Sequence, residues 1–430
     1  MRNGLAGKWA GLCGGVAVAV AATAFAAAAA LAADPVTINV WSDTPRLPAF
    51  AAYQKAHPDV KLKVTTIAPE QLVAKIQLAL RAHSEIPDVM FMADVNYAAM
   101  LSTRRADYLM DLTAAVPKAT QDEFYPNANV PCMINGKLMC LRNDMAHMII
   151  WYNKPLLDKL GAKVPTTWEE FEKTGADLAK QGYIVGSGTE PVPVINMLVS
   201  DGCDLGIPDL TKADTIKIDL TTDACKRPAQ MIDNMLASGA LSKAGPFEPA
   251  FINEAKAGKL AMMLGPTWFA EFVIKPTYGW APKLLAAALP PKWDDQQQPS
   301  TWSWGGGTYG GWKDTKHPKE VVDILTWVAT NVDSQKEAVT MPADKPASIA
   351  WGAKLKADGY YASPDVFDIE LKAADYGNPG YGTLRFSPAD AVAKIVTPQL
   401  ANGKKLLDLL PSLQQELING AKVAGYQVEP

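Results

Sequence analysis

The chain has no long apolar run after residue 33, few cysteines and histidines, and no strong excess of either charge. Each scarcity removes a class of function. Without a later segment apolar enough to cross a bilayer, a multi-span membrane protein is excluded. Lys and Arg number 41 against 45 Asp and Glu, a formal net charge of −4. That mildly acidic balance argues against nucleic acid or anionic lipid as the main partner. The four histidines, His57, His83, His147 and His317, are scattered. No Gly-x-Ser-x-Gly elbow and no His-Glu-x-x-His pair occurs, so two common hydrolase constellations are missing. No close Cys-x-x-Cys or Cys/His spacing suggests zinc. Internal repeats, low-complexity tracts and long charge runs are absent too.

What is present starts at the N-terminus. Arg2 and Lys8 are the only charges before Asp34, and Trp9 to Ala33 is uncharged and rich in Ala, Val and Leu. The stretch closes on Ala30-Leu31-Ala32, a small-x-small pattern suited to signal peptidase. Residues 1–32 read as a secretory signal peptide cut after Ala32. Cys13 follows Leu12 and precedes the apolar run, which argues against a lipoprotein anchor. Loss of two positive charges takes the net from −4 to −6. An exported protein works where ATP, NAD and glutathione are not supplied, so no cofactor is expected.

Four cysteines remain: Cys132, Cys140, Cys203 and Cys225. An even count in an oxidising compartment suggests two disulfides. Cys132 and Cys140 flank Asn135-Gly136, a hairpin-turn dipeptide able to bring the sulfurs face to face. Cys203 with Cys225 follows by elimination, and four free thiols are the other reading.

The periodicity points to an α/β protein. Val36–Trp41 and Val60–Ile67 alternate as strands, with a helix over 47–57 between them. Leu72, Ile76 and Leu80 share one helical face, and Val89–Ala93 reads as a buried parallel strand. Strand–helix–strand order implies a parallel sheet covered by helices. Further on, residues 149–154 and 259–264 read as strands, and Thr167-Trp168-Glu169-Glu170 as a capping box opening a helix. Val321, Leu325 and Val328 mark another helix, residues 342–390 show no clear period, and roughly 388–424 forms a helical tail. Some four hundred mature residues exceed one core, so two lobes are expected.

Several segments, in order, resemble the extracellular solute-binding proteins of ABC importers, in the carbohydrate-type branch that includes maltose-binding protein. They are "INVWSD", "HPDVKLKV", "IPDVMFMAD", "YLMDLT", "NGKLMCLRND…WYNKPLLDKLG", "VPTTWEEF", "GKLAMMLGPTW" and "KHPKEVVDILTWVA". They cover most of residues 36–330, and the C-terminal hundred residues match more loosely. The resemblance implies a two-lobed periplasmic-binding-protein fold. Each lobe would be a mostly parallel sheet flanked by helices, with hinge crossings and a helical C-terminal tail. On that pattern the first lobe holds 34–142 plus 300–335 and the second 146–297 plus 340–430. Crossings would fall near Asn143–Met145, Ser300–Trp304 and Asp333–Met341. The implied protein is a periplasmic monomer without metal or cofactor. It would bind a sugar or polyol in the cleft and deliver it to an inner-membrane permease.

A sugar presents apolar ring faces and directional hydroxyls, so its site should combine aromatic rings with carboxylates and amides. Trp268 follows the "GP" where the family often stacks an aromatic on sugar; its other reading is a core Trp. Trp41 and Asp43 end the first strand, and Asp94 ends the "PDV" strand, where a helix-capping role competes. Asn143 and Asp144 sit at the first crossing. Glu190-Pro191 resembles a family Glu-Pro at the cleft edge. Trp302 and Trp304 precede three glycines that permit close backbone approach, with a hinge connector as the bland alternative. Trp351, Tyr381 and Arg385 lie in the loosely matched part. Arg46 is the only base in the short "SDTPRLP" loop, which leaves an anionic ligand held by Arg46 or Arg142 open. A secreted carbohydrate-active hydrolase would want similar residues, and a protein presenting ligand to a chemoreceptor would want the same ones.

Overall fold

The computed structural model describes residues 35–104, 106–208 and 214–429. The signal-peptide reading falls outside them. Two sheets organise the molecule. In the first, Val36–Ser42 pairs in parallel with Val60–Thr66 and with Val89–Met92. Its alternation is the expected one: Ile38 and Val40 are buried against Phe50 and Tyr53 of the helix Leu47–Ala56, while Thr37 and Asn39 face out. Thr308–Gly311 then lies antiparallel between Val89–Met92 and Leu141–Arg142.

The second sheet centres on Met148–Asn153, antiparallel to both Leu285–Ala288 and Met262–Pro266. Parallel bridges Ile184↔Leu260 and Ser187↔Ser242 extend it. Both faces are covered. Met148 and Ile150 pack with Trp168, Phe171 and Ile195, whereas Ile149 and Trp151 pack with Phe251, Phe269 and Leu285. This is why the strand reads as a continuous apolar run rather than an alternation.

The sheets are mixed, not mostly parallel. Thr308–Gly311 returns after the strands of the second sheet instead of closing a strand–helix–strand unit, and it enters the first sheet antiparallel to its neighbours. It is also glycine-rich for a steric reason: a Cβ on Gly311 would stand 2.5 Å from Met110 Sδ and 2.6 Å from Val321.

Three chain segments run side by side between the sheets. Met145 N–H donates to Met341 C=O at 2.9 Å, and Ala343 N–H to Asn143 C=O at 3.0 Å. Asn143 N–H donates to Gly307 C=O at 2.8 Å, and Trp304 N–H to Ala146 C=O at 3.1 Å. The segment 342–390, without period in the sequence, contains the helices Lys345–Asp358 and Val366–Ala373. The tail holds Pro388–Ile395, Thr397–Ala401 and Leu406–Val423, the last burying Leu406, Leu410, Leu413 and Leu417 in one stripe.

Thr167 caps its helix as expected, accepting from Glu170 N–H at 3.2 Å. The Glu170 carboxylate reaches back one residue further, to Thr166 N–H at 2.8 Å. Asn135 and Gly136 take φ of 52° and 74°, the left-handed pair that a tight hairpin turn requires. Cys132 and Cys140 are bonded just beyond that hairpin, and Cys203 is bonded to Cys225.

The two bridges close loops of different length, with sequence separations of 8 and 22. Replacing Cys203 and Cys225 together by Ser is expected to cost about 3 kcal/mol of stability, and the Cys132/Cys140 pair roughly 1 kcal/mol less. Urea unfolding of the two double variants checks this. Equal or reversed losses would rule out loop length as the source.

Candidate functional site

A cavity of about 690 Å³ opens where the strand ends of both sheets meet the crossing segments. Its wall includes Asp43 and Arg46 after Val36–Ser42, and Asp94 after Val89–Met92. Asp144 comes from the first crossing, Trp304 to Gly306 from the second, and Trp268 follows Met262–Pro266. Ligand loops at strand ends are the usual arrangement of open α/β sheets.

The polar side is built around one guanidinium. Asp43 caps the turn Thr44–Arg46, accepting from Arg46 N–H at 3.3 Å. Arg46 Nη1 donates to Asp43 Oδ2 at 3.2 Å and Nη2 to Asp144 Oδ1 at 3.3 Å. The Arg46 Cζ lies 4.4 Å from the centre of the Phe91 ring. Burial opposes the charge on Arg46, but Asp43 and Asp144 outweigh it and raise its pKa above the ordinary value. Burial raises the Asp43 carboxyl as well, and the pull of Arg46 only partly offsets it.

Asp144 Oδ1 accepts three hydrogen bonds: Arg46 Nη2, Asn143 Nδ2 at 2.8 Å and Gly307 N–H at 3.0 Å. Its Oδ2 is buried with no partner among the described residues. Arg142 Nε donates to the Asp144 carbonyl at 2.8 Å. Burial pulls the Arg142 pKa down to about 10 against the attraction of Asp144 and Asp94. Gly306, with φ of 82°, covers that guanidinium so closely that a Cβ would overlap it. Arg142 therefore sits behind the cavity wall.

Two further carboxyls are strongly perturbed. Burial pushes Asp94 up to about 6, although Val95 N–H at 2.7 Å and the charge of Arg142 pull the other way. Burial pushes Glu190 up to about 7, and repulsion from Glu248 adds to it. Glu190 precedes the helix Pro191–Val199 without capping it.

The opposite wall is aromatic. Trp268 lies nearly parallel to Phe247 at 6.5 Å between centroids and edge-on to Trp304 and Phe272 at 5.7 and 5.9 Å. Its indole N–H donates to the Trp304 carbonyl at 2.6 Å, which fixes the ring and couples two wall elements. Phe247 and Phe272 are 48% and 43% exposed, a large apolar surface for a soluble fold. Phe272 and its neighbours ride on the π-helix Ala270–Tyr278, a winding often found at functional sites.

Asp43, Arg46, Asp94, Asp144, Glu190, Trp268 and Trp304 thus share one cavity. Asn143 stands one step back, holding Asp144 and accepting from Gln335 Nε2 at 3.2 Å. The remaining candidates lie elsewhere. Trp41 packs half-buried on the core of the first sheet. Trp302 and Tyr381 stack on each other at 3.9 Å in the core cluster that contains Met148 and Ile150. Trp351 is buried, its indole N–H spent on Ala338 C=O at 2.9 Å. Arg385 pairs with Asp214 at 2.8 Å and covers the Tyr426 ring. Sequence reasoning missed Tyr97, Phe247 and Phe272 on the wall. Phe247 lies in Gly-Pro-Phe-Glu-Pro, where no period marks a face. A Tyr at the start of a short helix and a Phe four residues after Trp268 were the available signals for the others.

The Glu190 shift has a testable sign. A carboxyl whose folded pKa is raised binds more protons in the folded state between pH 4.5 and about 7, so stability falls as pH rises through that window. Ligand-free Glu190→Gln is expected to exceed the parent in stability at pH 8 by about 1–3 kcal/mol, and to match it at pH 4. Thermal unfolding across pH checks this; a gap independent of pH would contradict the assigned shift.

The sequence profile of the bacterial extracellular solute-binding proteins matches residues 41–334. An uncharacterized ABC transporter extracellular-binding protein of Pyrococcus horikoshii is 24% identical over 347 residues, covering 76% of this chain and 74% of that protein. Among solved structures, the galacto-N-biose/lacto-N-biose I-binding protein of a Bifidobacterium longum ABC transporter, in complex with lacto-N-biose, has the same fold. Its TM-score is 0.75 at 21% identity, over 92% of this chain and 99% of that one. The ABC-transporter-associated binding protein of B. animalis subsp. lactis, in complex with β-1,6-galactobiose, gives 0.74 at 19%, over 92% and 100%. With more than half its length matched by the profile, the chain belongs to the bacterial extracellular solute-binding proteins.

Proposed function

We propose that this protein binds a mono- to oligosaccharide in the cleft and delivers it to the membrane subunits of an ABC permease, whose cytoplasmic ATPases supply the energy. The observation that carries the reading is the pairing, in one cavity, of the Trp268–Phe247–Phe272–Trp304 wall with the carboxylates Asp43, Asp94, Asp144 and Glu190. Aromatic faces suit the C–H patches of a pyranose, and carboxylates accept from its hydroxyls. The cavity volume falls within the range of small-molecule sites. The sugar-bound relatives support the same reading.

The two lobes are assigned as 34–142 plus 300–335 and 146–297 plus 340–430. The paired segments around Asn143–Met145, 301–307 and 341–343 act as the hinge. Ligand touching both lobes favours a closed state, and that closed state docks on the permease. The protein acts as a periplasmic monomer after cleavage following Ala32.

Hydrolysis by the floor carboxyls Asp43 and Asp144 is disfavoured by their chemistry, and hydrolysis by the other cavity carboxyls by the match to a family of binding proteins. A glycosidase needs one carboxyl free to donate a proton and another free to attack or to activate water. Asp43 and Asp144 are both tied to the Arg46 guanidinium. An anionic solute is disfavoured for the same reason, since both terminal nitrogens of Arg46 already meet carboxylates.

A thermal-shift panel of mono-, di- and trisaccharides, polyols and sugar phosphates tests the reading. A saccharide at a hundred times its dissociation constant should add roughly 2.7 kcal/mol of stability, without product formation. Shifts from sugar phosphates alone, or turnover of a saccharide, would refute it. Trp268→Ala should weaken the bound saccharide at least tenfold by calorimetry, because it removes a stacking face and frees the Trp304 carbonyl. Unchanged affinity would take Trp268 out of the site.

A further inference from the structure

The charge of the cleft narrows the solute, an argument that rests on the saccharide reading above. Its wall holds five carboxylates, Asp43, Glu70, Asp94, Asp144 and Glu190, against one cation, Arg46. That cation is already committed to Asp43 and Asp144, and Arg142 lies behind Gly306. The balance inside the cavity is therefore negative.

Beyond the Arg46 pairs, acceptors in the cavity are left without a partner or counter-charge. The Asp144 side chain is 1% exposed, yet its Oδ2 has no hydrogen-bond partner among the described residues. A buried carboxylate oxygen without a partner is costly, and a ligand donor at that position relieves the cost. The charge that acts on Glu190 is that of another acid, Glu248, which raises its pKa further. Asp94 feels Arg142 without an ion-pair contact among the described residues. Both carboxyls titrate above their ordinary range, as expected of acids that await a counter-charge. The cavity is also lined by the rings of Phe247, Trp268 and Phe272, and the negative potential of an aromatic face favours a cation rather than an anion.

A neutral sugar would use these acceptors but leave their charge uncompensated. A protonated amine supplies three donors and the missing charge together. We propose that the solute is an amino sugar, a saccharide with at least one free protonated amine, whose ammonium is held by the carboxylates of Asp94 and Glu190 and the unpartnered Oδ2 of Asp144.

The test compares matched pairs by titration calorimetry on the mature protein: glucosamine with glucose, galactosamine with galactose, and the β-1,4-linked glucosamine dimer with cellobiose. At least one amine is expected to bind ten or more times tighter than its neutral partner. Raising salt from 20 to 500 mM should shrink that ratio. Asp94→Asn and Glu190→Gln should each reduce it three-fold or more, the amine losing more affinity than its neutral partner. Circular dichroism confirms that the variants fold. A neutral sugar binding as tightly as its amine would overturn the amino-sugar assignment and leave the saccharide reading standing. Silence of every amine, with a neutral saccharide found in the wider panel, would do the same. Silence of both sets would overturn both.

Discussion

The Asp144 carboxylate is the interaction on which the rest of the site depends. It stands on the first crossing between the lobes and collects Arg46 from the first strand's loop, Asn143 from its own segment and Gly307 from the returning segment. A buried carboxylate persists only where donors and an opposite charge surround it. Those donors come from three separate stretches of chain, so the same residue fixes the floor of the cavity and ties those stretches together. Arg142 reinforces it from behind by gripping the Asp144 carbonyl. The glycines at 306 and 307 are the steric condition for this arrangement. A side chain at either would collide with the Arg142 guanidinium or with Phe91.

The two walls of the cavity obey different physics. The carboxylate wall is held by charge and hydrogen bonds that converge on the crossings. The aromatic wall is held by packing and by the hydrogen bond of the Trp268 indole to the Trp304 carbonyl. That tie joins the end of strand Met262–Pro266 to the segment around Trp304. Under the proposed hinge, a ligand spanning both walls would touch both lobes at once, which is the differential contact that closure requires.

The strands were legible wherever one period dominated. Val36–Ser42 and Val60–Thr66 show alternation because one face packs on helices and the other meets solvent. Thr308–Gly311 was not legible: its place between two strands and beneath Leu109 and Val321 demands glycine, and glycine carries no apolar signal. Helix Lys345–Asp358 was hidden in a similar way. Its buried positions 347, 348, 351, 352 and 355 have helical spacing, but Ser348 and Gly352 occupy two of them. The cavity residues that the sequence pointed to sit at strand ends and at the first two crossings, where local pattern and topology agree. Trp302, Trp351 and Tyr381 look like binding aromatics in the sequence, yet they fill the interior, because large rings serve packing as well as stacking. Only the three-dimensional neighbours separate those roles.

The most direct test of the saccharide cleft is a crystal structure of the mature protein grown with the saccharide that stabilises it most. The account predicts a sugar ring against Trp268, with hydroxyl or amine donors on Asp94, Asp144 or Glu190, and both lobes in contact with it. A ligand bound outside this cavity, or held by one lobe with the carboxylates untouched, would contradict it.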